Sequence, residues 1–319
     1  MTDTLLDATR RAPRPPRPPR THARAAVSRW RAPALLSHER AFVLLIGAVT
    51  AALALAAAPT RVETLRWAGL LAAVLALPWL VPLLGARWGW RARLAGAVVV
   101  MNLVYARTGA AVAALALKLR DDALRALDTR FFGAALPLRL EPLASPAATE
   151  LMSACYLLLM PYILLSCLRW WRRAPARLDL ARRFHAGLLT LYAAGFLGYL
   201  LVPAAGPYLA MPDAFDAPLR GGWLTALNDA VVRAGATRVD VFPSLHVAVS
   251  AYLLGFDARV EPARARRWAL PVAGLWLSTL YLRYHYGVDV VAGLALAATA
   301  LTLALRRHAS PAPSHLTPS

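Results

Sequence analysis

The feature that most constrains this chain is a succession of apolar stretches, near 41–58, 65–84, 95–117, 149–168, 184–203, 244–257, 268–283 and 287–305. A helix needs about 20 residues to cross a hydrocarbon core. Most of these stretches reach or approach that length, while the last three are short and loosely bounded. Transmembrane barrel strands alternate apolar and polar residues over about ten positions, whereas these runs are continuous and rich in Leu, Ala and Val. With 59% hydrophobic residues and a mean hydropathy of +0.48, the chain is too apolar for an ordinary soluble domain. The sequence predicts an all-α polytopic membrane bundle of about eight spans.

The net charge of +19 invites a nucleic-acid reading, but the arginines cluster in particular connections rather than on a soluble face. Arg87, Arg91 and Arg93 follow the second span. Arg169, Arg172, Arg173, Arg177, Arg182 and Arg183 follow the fourth, Arg259, Arg264, Arg266 and Arg267 the sixth, and Arg306 and Arg307 the eighth. The alternate connections are less basic; in 203–243, Arg220, Arg233 and Arg238 stand against Asp213, Asp216, Asp229 and Asp240. The positive-inside rule accounts for this alternation with both termini in the cytoplasm, and no nucleic-acid partner is expected. Arg107, deep in the third span, is expected to pack in the bundle or pair with a polar group. The expected location is the cytoplasmic (inner) membrane of a bacterium.

"RAPRPPRPPR" cannot propagate a helix, since proline lacks the amide donor. Residues 1–40 therefore read as a disordered basic cytoplasmic tail, 41–306 as the membrane region and 307–319 as a second cytoplasmic tail. "ALAAAP" after the first apolar run resembles a cleavage site, but the preceding basic region is long for a signal peptide, which favours a retained span. Cys155 and Cys167 are separated by about 18 Å of helical rise. They cannot bridge one another, and neither has metal-ligand spacing to a histidine. No glycine-rich phosphate loop or dinucleotide fingerprint is present, and no cofactor is expected.

Of seven histidines, His22, His38, His308 and His315 lie in polar tails, and His185 begins a span beside Arg182 and Arg183. The remaining two are placed differently. His246 stands in "VFPSLHVAVSAYLL" at the mouth of the sixth span, and His285 in "RYHYGVDVVAG" at the mouth of the eighth. Both follow a noncytoplasmic connection and begin a helix running inward, so they can meet at one membrane boundary. His285 and Asp289, four residues apart, share a helix face, where the carboxylate can hold one imidazole nitrogen and direct the other at a substrate. Ser244 can cap its helix, whose amides and positive dipole end suit a phosphate. His246 would then lie at a depth to protonate a leaving oxygen. Arg283 offers a forked donor set for phosphate oxygens. Two histidines and an aspartate could also ligate zinc, but no nearby cysteine or third histidine completes a set, and no metal is expected.

"PSLHVA" and "RYHYGVDVVAG" resemble the second and third signature motifs of the type 2 phosphatidic acid phosphatase superfamily, most closely its inositol phosphorylceramide synthase-like branch. The likeness extends more softly through "GYLLVPAAGP" and "LRALDTRFFGAALP", covering roughly residues 120 to 300. It implies a helical bundle in which 118–306 form a catalytic membrane domain with a six-helix core and 41–117 are accessory transmembrane helices, with metal-independent chemistry through a phosphohistidine. His285 would attack phosphorus, Asp289 orient it and His246 protonate the leaving group, with Ser244 and backbone amides holding phosphate oxygens. The chain departs from the broad pattern: the lysine and arginine-proline motif is absent from the end of the fifth span, Thr279 replaces an arginine in the third motif, and "GPY" carries Tyr208 where the synthase-like branch commonly has arginine. Arg283 is the first candidate to supply the missing charge, with Arg220 and Arg238 behind it.

The expected activity is cleavage or transfer of a phospho-headgroup of a lipid phosphoester, inositolphosphotransferase-like, with water or an alcohol as acceptor. Membrane lipids are the expected partners, and the sequence leaves the oligomeric state open. A serine hydrolase built on Ser244, His285 and Asp289 has the residue types but no GxSxG elbow. A transporter or scaffold explains the spans but not the converging histidines.

Overall fold

The computed structural model describes residues 34–56, 61–174 and 176–306, without the side chains of residues 86 and 87. The Arg/Pro-rich arm and the carboxy-terminal tail lie outside the described residues. Described residues form α1 (Ser37–Leu55), α2 (Arg61–Ala76), α3 (Leu80–Ala114), α4 (Asp121–Phe132), α5 (Leu136–Leu140), α6 (Pro146–Leu157), α7 (Leu159–Arg173), α8 (Leu178–Leu201), α9 (Pro207–Ala210), α10 (Trp223–Gly235), α11 (Leu245–Val260), α12 (Pro262–Tyr281) and α13 (Gly287–Leu305). No strand occurs among them, and the expected all-α membrane bundle is what the chain forms.

Among the described residues, six helices are long and apolar enough to cross a membrane: Ser37–Leu55, Arg61–Gly85, Trp88–Ala114, Pro146–Arg173, Leu178–Leu201 and Gly287–Leu305. The expected sixth and seventh spans, α11 and α12, fall outside that set, for different reasons. α11 has only 16 residues. It runs through the middle of the bundle, with Val247, Ala248, Val249, Tyr252 and Phe256 fully buried against protein rather than lipid. α12 is 20 residues long but opens with Arg264, Arg266 and Arg267, which dilute its hydropathy.

Residues 37–40, read from sequence as tail, are the first turn of α1. The reason is Glu39, which is fully buried, accepts the Leu36 amide at 2.8 Å and pairs with Arg93 of α3. Arg107 of α3 pairs with Glu63 of α2. These two ion pairs tie the three amino-terminal helices together where hydrocarbon offers charges no other partner.

Two regions close the bundle. At one end, the connection from 202 to 244 folds back over the helices: Ala204 and Asp240 form an isolated parallel bridge, the Arg120 amide donates to the Pro203 carbonyl at 2.8 Å, and the Phe242–Pro243 peptide is cis. At the other end α11 turns into α12 through the single residue Glu261, whose amide donates to the Asp257 carbonyl at 2.6 Å. There Arg264 pairs with Asp257 and donates to Ser166 Oγ at 2.8 Å, while Tyr162 Oη donates to Asp257 at 3.3 Å.

Candidate active site

His246 is the second residue of α11, and His285 lies two residues before α13. The beginnings of these helices are bound together: the Ser244 amide donates to the Asp289 carbonyl at 3.1 Å. Close approach is possible because position 293 is glycine; a Cβ there would sit 2.6 Å from the Ser244 carbonyl oxygen. The two imidazole rings consequently lie 6.0 Å apart, centroid to centroid.

Asp289 is fully buried. One carboxylate oxygen accepts the Tyr286 amide at 2.7 Å, which fixes the start of α13, and that same oxygen lies 3.5 Å from His285 Nδ1. This is an approach rather than a formed hydrogen bond. Both His285 Nδ1 and the second Asp289 oxygen are buried without a hydrogen-bond partner. Neighbouring orphaned groups are costly, and such groups concentrate at functional sites. Catalytic hydrogen bonds that are long in an unliganded site tighten in the complex. With Nδ1 facing the carboxylate, Nε2 is the nitrogen left for chemistry. Burial pushes the His285 pKa down, to about 4, against the opposing pull of Asp240 and of the Val241 carbonyl. The ring is therefore neutral, and nucleophilic, at neutral pH.

The amino end of α13 is already neutralised, whereas that of α11 is less so. Asp128 of α4 accepts the Gly287 amide at 2.9 Å and the Val288 amide at 2.8 Å, and also the Leu136 amide at 3.0 Å. It is a carboxylate cap supplied from more than 150 residues away in sequence. On α11 the cap is the neutral Ser244 hydroxyl, accepting the Val247 amide at 3.4 Å. An anion near the histidines therefore meets the helix dipole of α11 more fully than that of α13.

Tyr156 of α6 stacks on His246 with centroids 4.3 Å apart, and Tyr284 lies 4.8 Å from Tyr156. Asn228 of α10 donates to Tyr284 Oη at 2.8 Å. Asp121 of α4 holds the 203–207 turn by accepting the Ala205 and Gly206 amides at 2.9 and 2.8 Å, and takes the Tyr286 hydroxyl at 3.2 Å. Gly206, at φ +86°, would bring a Cβ within 2.5 Å of the Tyr284 carbonyl, so this turn is pressed directly onto the His285 segment.

Of the residues singled out from sequence, His246, His285, Asp289 and Ser244 are brought together. Ser244 is buried and its hydroxyl is committed to the helix cap, so it is no free nucleophile. Arg283, the first candidate for phosphate, is engaged elsewhere: its guanidinium donates to Glu141 at 3.0 Å and to the Ala217 carbonyl at 2.9 Å, and lies over the Phe215 ring at 3.9 Å. Arg220 and Arg238 are exposed on the 202–244 connection. Among the described residues, no group of three or more His, Cys, Asp and Glu side chains is arranged to hold a metal. Sequence reasoning missed Asp121, Asp128, Asp240 and Tyr156. Only Asp128 had a signal, through the soft stretch "LRALDTRFFGAALP".

The fold and site together are a helical membrane bundle with two histidines at the mouths of two packed helices. The family model described as the PAP2 superfamily matches residues 122–303, more than half of the chain, and the chain belongs to that superfamily. Its matched segment begins with α4, the helix that carries Asp128, and ends within α13. Neither the curated proteins nor the solved structures contain a match.

Proposed function

We propose that the protein transfers a phospho-headgroup from a lipid phosphoester to an alcohol, inositolphosphotransferase-like, through a phosphohistidine formed on His285. The observation that carries this reading is the 6.0 Å approach of the two imidazoles with Asp289 behind His285. In the first step Nε2 of His285 forms a bond to phosphorus while the phosphorus–oxygen bond to the leaving group breaks, and His246 gives its proton to that oxygen. The negative charge of the phosphate itself stabilises the imidazolium that His246 must be to do this. In the second step His246 takes a proton from the acceptor hydroxyl, whose oxygen displaces Nε2 from phosphorus. Asp289 orients His285 and stabilises the charge it acquires on attack.

The choice of an alcohol over water rests on a cavity of about 390 Å³ beside Tyr284. Tyr208, Asp216, Asp229 and Arg283 line it, with Thr149 and Thr225, whose hydroxyls are hydrogen-bonded to Tyr281 and Glu150; the phenol and the two carboxylates suit a polyhydroxylated headgroup. The superfamily match favours a second reading, a lipid phosphate phosphatase with water as acceptor. The same phosphohistidine serves both, and the difference lies in water exclusion. Incubation of purified protein with labelled lipid phosphoesters and candidate alcohols separates them. Headgroup appearing on the alcohol supports transfer; free phosphate alone, whatever alcohol is present, supports the phosphatase. Absence of labelled phosphate on His285 during turnover would overturn both.

A further inference from the structure

At the end of the bundle opposite the histidines, the last turns of α7 and the first turns of α12 line an open cavity of about 510 Å³. Five arginines line it: Arg169, Arg172, Arg173, Arg264 and Arg267. Among the described residues, two carboxylates answer them. Glu261 pairs with Arg169 and Arg173, and Asp257 pairs with Arg264. Arg172 and Arg267 are exposed and have no ion pair among the described residues. Two cations at the rim are thus left for an anion from outside the chain.

The floor of the cavity has the opposite chemistry. Leu165 and Leu168 are 52% and 39% exposed, on the lipid-facing side of α7. Trp268 stands beside them, its ring stacked on Tyr162 at 4.1 Å. The span Pro146–Arg173 ends at this level, so the arginines lie where headgroups lie and the leucines where acyl chains begin. A free anion would need the arginines alone. An apolar wall continuous with the lipid-facing surface, beneath a basic rim, matches a molecule with a phosphate and hydrocarbon chains.

We propose that this cavity binds the phosphate of an anionic phospholipid, separately from the histidine site. α11 separates the two by about 24 Å of helical rise, so one lipid cannot occupy both. Basic pockets between helices at a membrane surface recognise such headgroups, each Lys or Arg near the surface contributing about fivefold in affinity.

The test is native mass spectrometry of the purified full-length protein titrated with phosphatidylglycerol, phosphatidylcholine or inorganic phosphate. Three proteins are compared: wild type, the double variant Arg172→Gln/Arg267→Gln, and a control, Arg182→Gln/Arg259→Gln, which removes two exposed arginines that do not line the cavity. Wild type and control should retain phosphatidylglycerol, and the cavity variant should lose about fivefold in affinity for each arginine removed. An equal loss in the control would reduce the effect to general surface charge and overturn the proposal. So would phosphatidylcholine held as tightly as phosphatidylglycerol. Inorganic phosphate displacing the lipid at the lipid's own concentration would assign the arginines to free anions, and would also overturn it.

Discussion

At the scale of the residue, the proposed roles of the two imidazoles follow from their different surroundings. His285 has a carboxylate behind it, whereas His246 has an aromatic face against it. Replacing His285 with Ala should abolish labelled phosphoenzyme. Replacing His246 with Ala should slow substrates with poor leaving groups by about 10²–10⁴-fold, the usual yield of general acid catalysis, and slow an activated aryl phosphate far less. Equal losses on both substrates, with phosphate still trapped in the His285 variant, would reverse the roles. The pH dependence has a definite sign. Because burial holds the His285 pKa down, to about 4, the proposed nucleophile stays neutral below the ordinary histidine range and is protonated only as pH falls through that value. The acid limb of kcat/KM, which reports the free enzyme, should therefore lie well below 6.5; a limb at 6.5 that disappears in the His285 variant would show a solvated ring.

At the scale of the element, what was legible in the sequence was what is local. His285 and Asp289 are one helical turn apart, and Ser244 caps the helix that it begins, so spacing alone gave their relation. The roles of Asp121 and Asp128 were not legible, although Asp128 lies in the stretch "LRALDTRFFGAALP", because the site amides they bind are 84 to 160 residues away and an amide carries no sequence signature. Arg283 shows the converse: a forked cation beside a histidine suggests phosphate, yet Glu141, 142 residues distant, takes it. The start of α1 was misplaced for a similar reason, since Glu39 looks like tail until Arg93 is seen beside it. This pair gives an element-scale prediction. Removing one partner of a buried ion pair leaves the other charge uncompensated, at about 3–5 kcal/mol. Arg93→Met should therefore lower the midpoint of thermal unfolding sharply, and Arg93→Met/Glu39→Leu should recover much of the loss. A double variant as unstable as the single one would mean that the pair is not what holds α1 to α3.

At the scale of the whole molecule, the charge pattern sets the direction in which the bundle lies. Arginine-rich connections at 169–183 and 258–267 should face the cytoplasm and 202–244 the other side. A cysteine at position 220 in a cysteine-free background should react with an impermeant thiol reagent added from outside; labelling only from the cytoplasmic side would invert the orientation. One further property follows from the length of α11. Sixteen residues rise about 24 Å, against hydrocarbon about 30 Å thick, and α11 is held at both ends, by the Ser244–Asp289 bond and by the Asp257–Arg264 pair. The helix bearing His246 therefore cannot lengthen to meet a thicker bilayer. Because α11 is sheathed by protein, its shortness sets the depth of His246 rather than the thickness of the surrounding lipid, and a substrate must deliver its phosphate below the level of its neighbours' headgroups, further below in a thicker bilayer. Turnover in proteoliposomes should consequently rise as acyl chains are shortened and fall as they are lengthened at constant headgroup, making the reaction sensitive to membrane thickness itself; rates indifferent to chain length would show that the histidines reach the interface unaided.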